Sequence, residues 1–355
     1  MDKKTGSLTQ KMQRFLKENG IILSVLGGYN CYELQDDGEK IREYKKVNCI
    51  HMPSGTPCLA VPSMTATKVW RGKRITQLGR EISDPPESSA FEWPVDLAVY
   101  KNDGTYIYSL IYDMERQALK KGVLLKEILY QSLDSKVLDW RHEDIQNLIK
   151  SFLREMISFR KSGYLYLDYN IDKIYYCKEE QSFYFEFMRW TGRTGKIIRY
   201  NKDLVLKIFS KEFARPQIFR KDWDGTLGEY EDNFAITSML FRLMIGRLPY
   251  EGKGMDDKGR VFHPEIDMGQ AEYNEYFEKY HSYPCFIFDL NDQNNSLGPM
   301  VENDLPRERW EALPETVKAM FRGSLGREAA EKAQGDSYGP REWLRVIQSL
   351  KKLKE

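Results

Sequence analysis

Apolar residues recur at intervals of three and four over Ile145, Leu148, Ile149, Phe152, Leu153, Met156 and Ile157. That spacing makes one continuous stripe on a helix and predicts a largely buried element stopping near Gly163. A second such segment runs from Asp232 to Ile245, with Ile236, Met239, Leu240, Leu243 and Met244 facing inward and Gly246 as its C-terminal stop. The first third of the chain follows a different pattern. Ile21 to Leu26 and Asn30 to Gln35 are short strand-like runs around Gly27-Gly28, and Asp36-Asp37-Gly38 is a turn signal. Leu97 to Tyr100 and Thr105 to Tyr112 flank Asn102-Asp103-Gly104, whose residues tolerate positive φ and so predict a hairpin. Pro85 to Ser89 and Gly252 to Gly259 are polar, breaker-rich loops too short to be independent linkers. The pattern predicts a small antiparallel sheet over residues 1–117 and a larger, mainly helical region over 118–355, an α+β organisation with its boundary near Glu115 to Lys121.

Composition narrows the classes. A chain of 355 residues with 41% hydrophobic and 13% aromatic content has the means to build a substantial core. Its 54 basic and 53 acidic residues leave no net field that favours nucleic acid or an anionic membrane as partner. The five cysteines (Cys31, Cys49, Cys58, Cys177, Cys285) are odd in number and contain no CxxC pair, which argues against a disulfide framework or a zinc knuckle and fits a reducing cytoplasm. The most apolar stretch, Phe234 to Ile245, is interrupted by Arg242 and too short to span a bilayer, and the N-terminus has no apolar signal core. The four histidines (His51, His142, His263, His281) fall in no metal-ligand spacing and are expected to be satisfied surface or core groups. Pro284 to Asn295 has the acids and amides of a calcium loop without its central glycine and closing glutamate, so a turn-rich insertion between helices is expected.

Several motifs, in order, carry a resemblance. GYLYLDYNIDKIYY begins at Gly163, after the first buried helix and before a strand-like run. EDNFAITSMLFRLMIGRLPYEG (Glu231 to Gly252) starts a buried helix with an aspartate and ends in a GxxP turn. Between them, FARPQIF (Phe213 to Phe219) places Pro216-Gln217 at the end of a loop. Upstream stand ATKVW (Ala66 to Trp70) and FEWPVDLAVYKNDGTYIYSLIYDM (Phe91 to Met114), and PREWLRVIQSL (Pro340 to Leu350) closes the chain. Jointly they resemble a bacterial protein-kinase-like family, divergent from the eukaryotic-type Ser/Thr kinases, some members of which carry helix-hairpin-helix segments.

The resemblance implies a two-lobed fold, ATP and magnesium bound between the lobes, and transfer of phosphate to protein Ser/Thr. It puts Asp168 at the catalytic aspartate and Lys68 at the lysine that contacts the nucleotide phosphates. Gly27 and Gly28 fall in the glycine loop, Glu81 at the glutamate that pairs with the lysine, and Glu186 and Asn170 at metal ligands. Asp232 takes a structural role, holding the catalytic-loop backbone and capping its helix.

Three positions depart from that pattern. The segment LGGYNCYEL lacks GxGxxG. Glu186 stands where an aspartate is expected, and Lys173 stands where kinases use asparagine for the second metal. An ammonium has no lone pair for magnesium, although its charge suits a phosphate. The alternative implied is a pseudokinase, a scaffold or nucleotide-sensing module bound to a partner protein. A small-molecule phosphotransferase of similar plan fits less well, because those enzymes generally lack the proline-ended segment.

Overall fold

The computed structural model describes residues 20–26, 30–35, 39–43, 45–62, 73–102, 105–117, 122–131, 141–167, 169–186, 191–199, 202, 205, 210–255, 269–282, 284–291, 294–299, 304–332 and 337–350. The chain is α+β. It divides into two compact units, Met1–Lys121 with Glu186–Met188, and Gly122–Phe185 with Arg189–Glu355.

Six antiparallel strands of the first unit close into a barrel of order β1-β2-β3-β4-β6-β5. They are β1 (Ile21–Ser24), β2 (Cys31–Leu34), β3 (Val47–His51), β4 (Thr56–Pro62), β5 (Asp96–Asn102) and β6 (Thr105–Asp113). β5 and β6 form the hairpin expected around Asn102-Asp103-Gly104, with Asn102 opposite Thr105. Alternation along each strand separates two apolar faces. Ile22, Tyr32, Val47, Cys49, Cys58, Ala60, Tyr100, Ile107 and Ile111 fill one cluster. Leu59, Val61, Leu97, Leu110 and Tyr112 form the other with Ile82 and Leu78 of α1 (Lys73–Ile82).

Closure of the barrel has a polar fastening. The buried Asp96 carboxylate accepts hydrogen bonds from Ser24 Oγ (2.8 Å) on β1 and Tyr32 Oη (2.7 Å) on β2, and also from the Leu97 N–H. A buried carboxylate is tolerable only with such donors, so this residue specifies which strands meet.

Cys49 and Cys58 lie directly opposite each other on β3 and β4. Met52 donates to the Cys31 carbonyl and Gln35 to the Asn48 carbonyl, so even-numbered β3 residues turn their backbone toward β2. Cys49 therefore turns toward β4, and its pairing with Cys58 is the hydrogen-bonded, wider kind. Burial pushes the Cys49 thiol up to about 12 and the Cys58 thiol to about 11, so both behave as small apolar groups.

The second unit is mainly helical, with α2 (Leu125–Gln131), α3 (Glu143–Lys161), α4 (Glu229–Ile245), α5 (Gln270–Ser282), α6 (Asp304–Glu311), α7 (Glu315–Leu325), α8 (Arg327–Lys332) and α9 (Pro340–Leu350). Short strands β7 (Val123–Leu124), β9 (Ile174–Cys177) and β10 (Ser182–Phe185) form one sheet. Two further pairs join β8 (Tyr164–Tyr166) to β11 (Thr191–Arg193), and β12 (Ile198–Arg199) to β13 (Thr226–Leu227).

α4 is buried from Asp232 to Ile245 without a solvent face, so other elements pack all round it. Phe241 at its centre meets the rings of Phe286, Trp310 and Phe321. Trp343 of α9 is fully buried and donates its indole N–H to Thr237 Oγ1 at 3.0 Å. The helix begins three residues earlier than the apolar pattern marks. Gly228 is its N-cap, with the Gly228 N–H held by Glu231 Oε2 at 2.8 Å, so Asp232 lies inside the first turn and does not cap it. Gly246, at φ 84°, ends the helix where expected.

The segment from Pro284 is the turn-rich insertion expected, and Asn295 organises it. Its side-chain amide donates to the carbonyls of Tyr250 (2.8 Å) and Cys285 (2.7 Å) and accepts from the Gly254 N–H. Among the described residues no helix is long and apolar enough to cross a membrane.

Gly122 opens the second unit at φ 95°, and a Cβ there falls 2.1 Å from the Tyr176 carbonyl oxygen. Gly122→Ala is expected to destabilise the protein by about 2–3 kcal/mol through backbone strain and displacement of β9, measured as a lowered urea midpoint.

Candidate functional site

The loop that follows β8 is held from below by one buried carboxylate. α3 lays its stripe of Ile145, Leu148, Ile149, Phe152, Leu153, Met156 and Phe159 into the core and ends with Arg160 in its last turn. Gly163, at φ 84°, then reverses the chain into β8. Arg160 donates from Nε (3.0 Å) and Nη2 to Asp232 Oδ2, and also reaches Asn233 Oδ1. Tyr169 donates its phenol to Asp232 Oδ1.

Its ring stands edge-on to Tyr166 at 4.8 Å and near Phe152 at 6.4 Å. Tyr164, Tyr166, Tyr169 and Tyr176 around the loop are buried and Tyr175 is partly so, which makes these tyrosines packing groups.

The electrostatics of this clamp are coupled. Burial pushes Asp232 up, opposed by the Arg160 charge and the phenol hydrogen bond. Burial works against the Arg160 charge too, yet the Asp232 carboxylate raises Arg160 above its ordinary range. Burial and the same carboxylate raise Tyr169, which keeps its proton to donate. The expectation was that Asp232 would hold loop backbone. Among the described residues, side-chain donors on α3 and the loop converge on it.

A second buried pair ties the proline-ended segment to α4. Pro216–Phe219 is a 3-10 turn, and Arg215 before it donates to Glu231 Oε1 at 2.7 Å and to Gln217. Glu231 thus serves the helix N-terminus with one oxygen and Arg215 with the other.

Phe219 stacks at 4.0 Å on His281 of α5. His281 is buried, and neither ring nitrogen completes a hydrogen bond, contrary to the expectation of a satisfied group. Burial, with the Lys211 charge adding to it and a weak contact to the Lys211 backbone opposing it, pushes the imidazole down to about 3.

The other sequence-marked residues fall in different places. Lys68, Gly27, Gly28 and Asp168 lie outside the described residues; β4 ends at Pro62, and the neighbours of Asp168, Leu167 and Tyr169, are both buried. Glu81 lies on α1, where its carbonyl accepts the Trp93 indole N–H at 3.2 Å.

The candidate metal ligands are each engaged by a protein donor. Glu186, just past β10, takes Lys46 Nζ on Oε1 at 3.1 Å, a pair within the first unit. Asn170 caps the 3-10 turn Ile171–Lys173, its Oδ1 accepting the Asp172 N–H at 2.9 Å. Asp172 pairs with Lys126 at 3.0 Å. Among the described residues, no group of three or more His, Cys, Asp or Glu is arranged to hold a metal ion. Sequence reading missed Lys46 and Lys126, because a lone lysine carries no spacing signal.

No protein-family model matches the chain, and no curated protein matches it. Among solved structures it is similar to ROP2 from Toxoplasma gondii, described as a virulence factor with a protein-kinase fold and no enzymatic activity. That likeness has 13% identity and a TM-score of 0.43, over 98% of this chain and 92% of that one.

Two outcomes follow from the clamp and from the buried ring. Asp232→Ala strands the Arg160 charge and is expected to cost about 3–5 kcal/mol, against about 1–2 kcal/mol for Tyr169→Phe, by urea denaturation.

His281 stays neutral in the folded chain and takes a proton near pH 6.5 when unfolded. Stability is therefore lost as pH falls below 6.5, by up to about 1.4 kcal/mol per unit. Between pH 7 and pH 5 the wild type is expected to lose about 2 kcal/mol more than His281→Phe in paired urea melts.

Proposed function

We propose that this chain is a protein-kinase-like module of the inactive kind, binding ATP and reporting its occupancy to a partner protein rather than transferring phosphate efficiently. One observation carries this reading: Glu186 and Asn170, the residues the resemblance offers as magnesium ligands, already serve Lys46 and the Asp172 N–H, and the nearby Asp172 pairs with Lys126. Phosphoryl transfer draws most of its rate from metal ions and fixed donors that neutralise the phosphates. The described donors do not fit a magnesium ion.

The kinase-like part of the reading draws on the order of the motifs and on the clamp at Asp232, which fastens the residue beside Asp168 to the central helix. In this reading Lys68 contacts the nucleotide phosphates, Gly27 and Gly28 give the backbone close approach to them, and Glu81 orients the lysine. The partner is a protein in the cytoplasm, with no part for nucleic acid or membrane.

An active Ser/Thr kinase is the second reading, favoured by the buried flanks of Asp168, which suit a fixed catalytic loop. Thermal-shift titration with ATP is expected to raise the melting temperature, about 2.7 kcal/mol of stabilisation at 100 times the Kd. No radiolabel should pass from ATP to the protein or a generic substrate in magnesium or manganese. Transfer that Asp168→Ala abolishes would establish the second reading instead.

A further inference from the structure

Lys46 precedes β3 and places its ammonium 3.1 Å from the Glu186 carboxylate. The two side chains differ in exposure, 47% for Lys46 and 14% for Glu186, so the carboxylate is mostly enclosed while the ammonium reaches solvent. In the kinase-like reading that carboxylate faces an incoming polyphosphate, and two anions approach each other closely only with a cation between them. Magnesium supplies that cation poorly here. It requires near-ideal octahedral geometry and dehydrates reluctantly, and an ammonium already on the carboxylate both occupies an oxygen and repels a second positive charge. An ammonium offers three donors and no acceptor, which suits contact with a carboxylate and a phosphate oxygen together.

We infer that Lys46 stands in for the divalent cation at Glu186, so that the chain binds the polyphosphate of a nucleoside triphosphate without a divalent metal. The inference rests on the proposed kinase-like reading, which sets Glu186 at the position of the metal-binding carboxylate.

Fluorescence anisotropy of mant-ATP with the full chain tests it, in excess EDTA and in excess magnesium. The wild type is expected to bind in EDTA within about twofold of its affinity in magnesium. Lys46→Gln should weaken binding in EDTA by about tenfold, while Lys46→Arg keeps it because the charge remains. Lys45→Gln, at an exposed residue paired with Glu43, should leave binding unchanged. Retention by Lys46→Arg separates loss of charge from misfolding.

Binding that requires magnesium, or that Lys46→Gln leaves intact in EDTA, would overturn the inference while leaving the kinase-like reading in place. Absence of nucleotide binding under both conditions would overturn both.

Discussion

The loop after β8 and the start of α4 depend on the buried negative charge of Asp232. Asp232 is 1% exposed, and moving a lone carboxylate that far from water costs several kcal/mol unless donors meet it. Arg160 and Tyr169 are those donors, one from the end of α3 and one from the loop after β8. Because both must reach the same group, the carboxylate fixes where α3 ends, how Gly163 turns the chain, and where the loop lies against α4. The rest of α4 is covered independently of that turn, by Phe286, Trp310 and Phe321 around Phe241 and by Trp343 at Thr237. The clamp secures geometry more than it adds net stability, because desolvation takes back most of what the charge pair gives.

The first unit uses the same logic on a smaller scale. Asp96 gathers Ser24, Tyr32 and the Leu97 N–H at the closure of the barrel, while the alternating apolar positions supply the driving force for collapse. In each unit a buried carboxylate specifies which elements meet, and the apolar surface around it makes the arrangement stable.

Helix and hairpin positions were legible because each rests on local periodicity. The stripe on α3, the stop at Gly246 and the hairpin at Asn102-Asp103-Gly104 all depend on residues within a few places of one another. Partnerships over long sequence separation were not legible. Nothing local announces that Arg160 meets Asp232, that Tyr32 meets Asp96, or that Lys46 meets Glu186. The motif order identified Asp232 as structural, but the helix start at Gly228 was hidden because glycine gives no side-chain capping signal. His281 was misread for a related reason. Its burial comes from packing against Phe219, Phe277 and Tyr280, which no local pattern announces.

The engaged donors differ in how firmly they are held, and the difference bears on function. Asp172 is 46% exposed beside a Lys126 that is 28% exposed, and such a surface pair contributes about 0–1 kcal/mol and exchanges readily with solvent ions. Losing Lys126 would free one carboxylate at little cost, but one exposed carboxylate makes a poor magnesium site on its own. Glu186, at 14% exposure, is the more desolvated anion, so the ammonium on it is attracted more strongly and screened less by salt. In the proposed kinase-like reading, competition between lysine and metal is therefore decided at Glu186. There the lysine holds an entropic advantage, since it is tethered to the chain and pays no cost of association, while a metal ion must also shed ordered water.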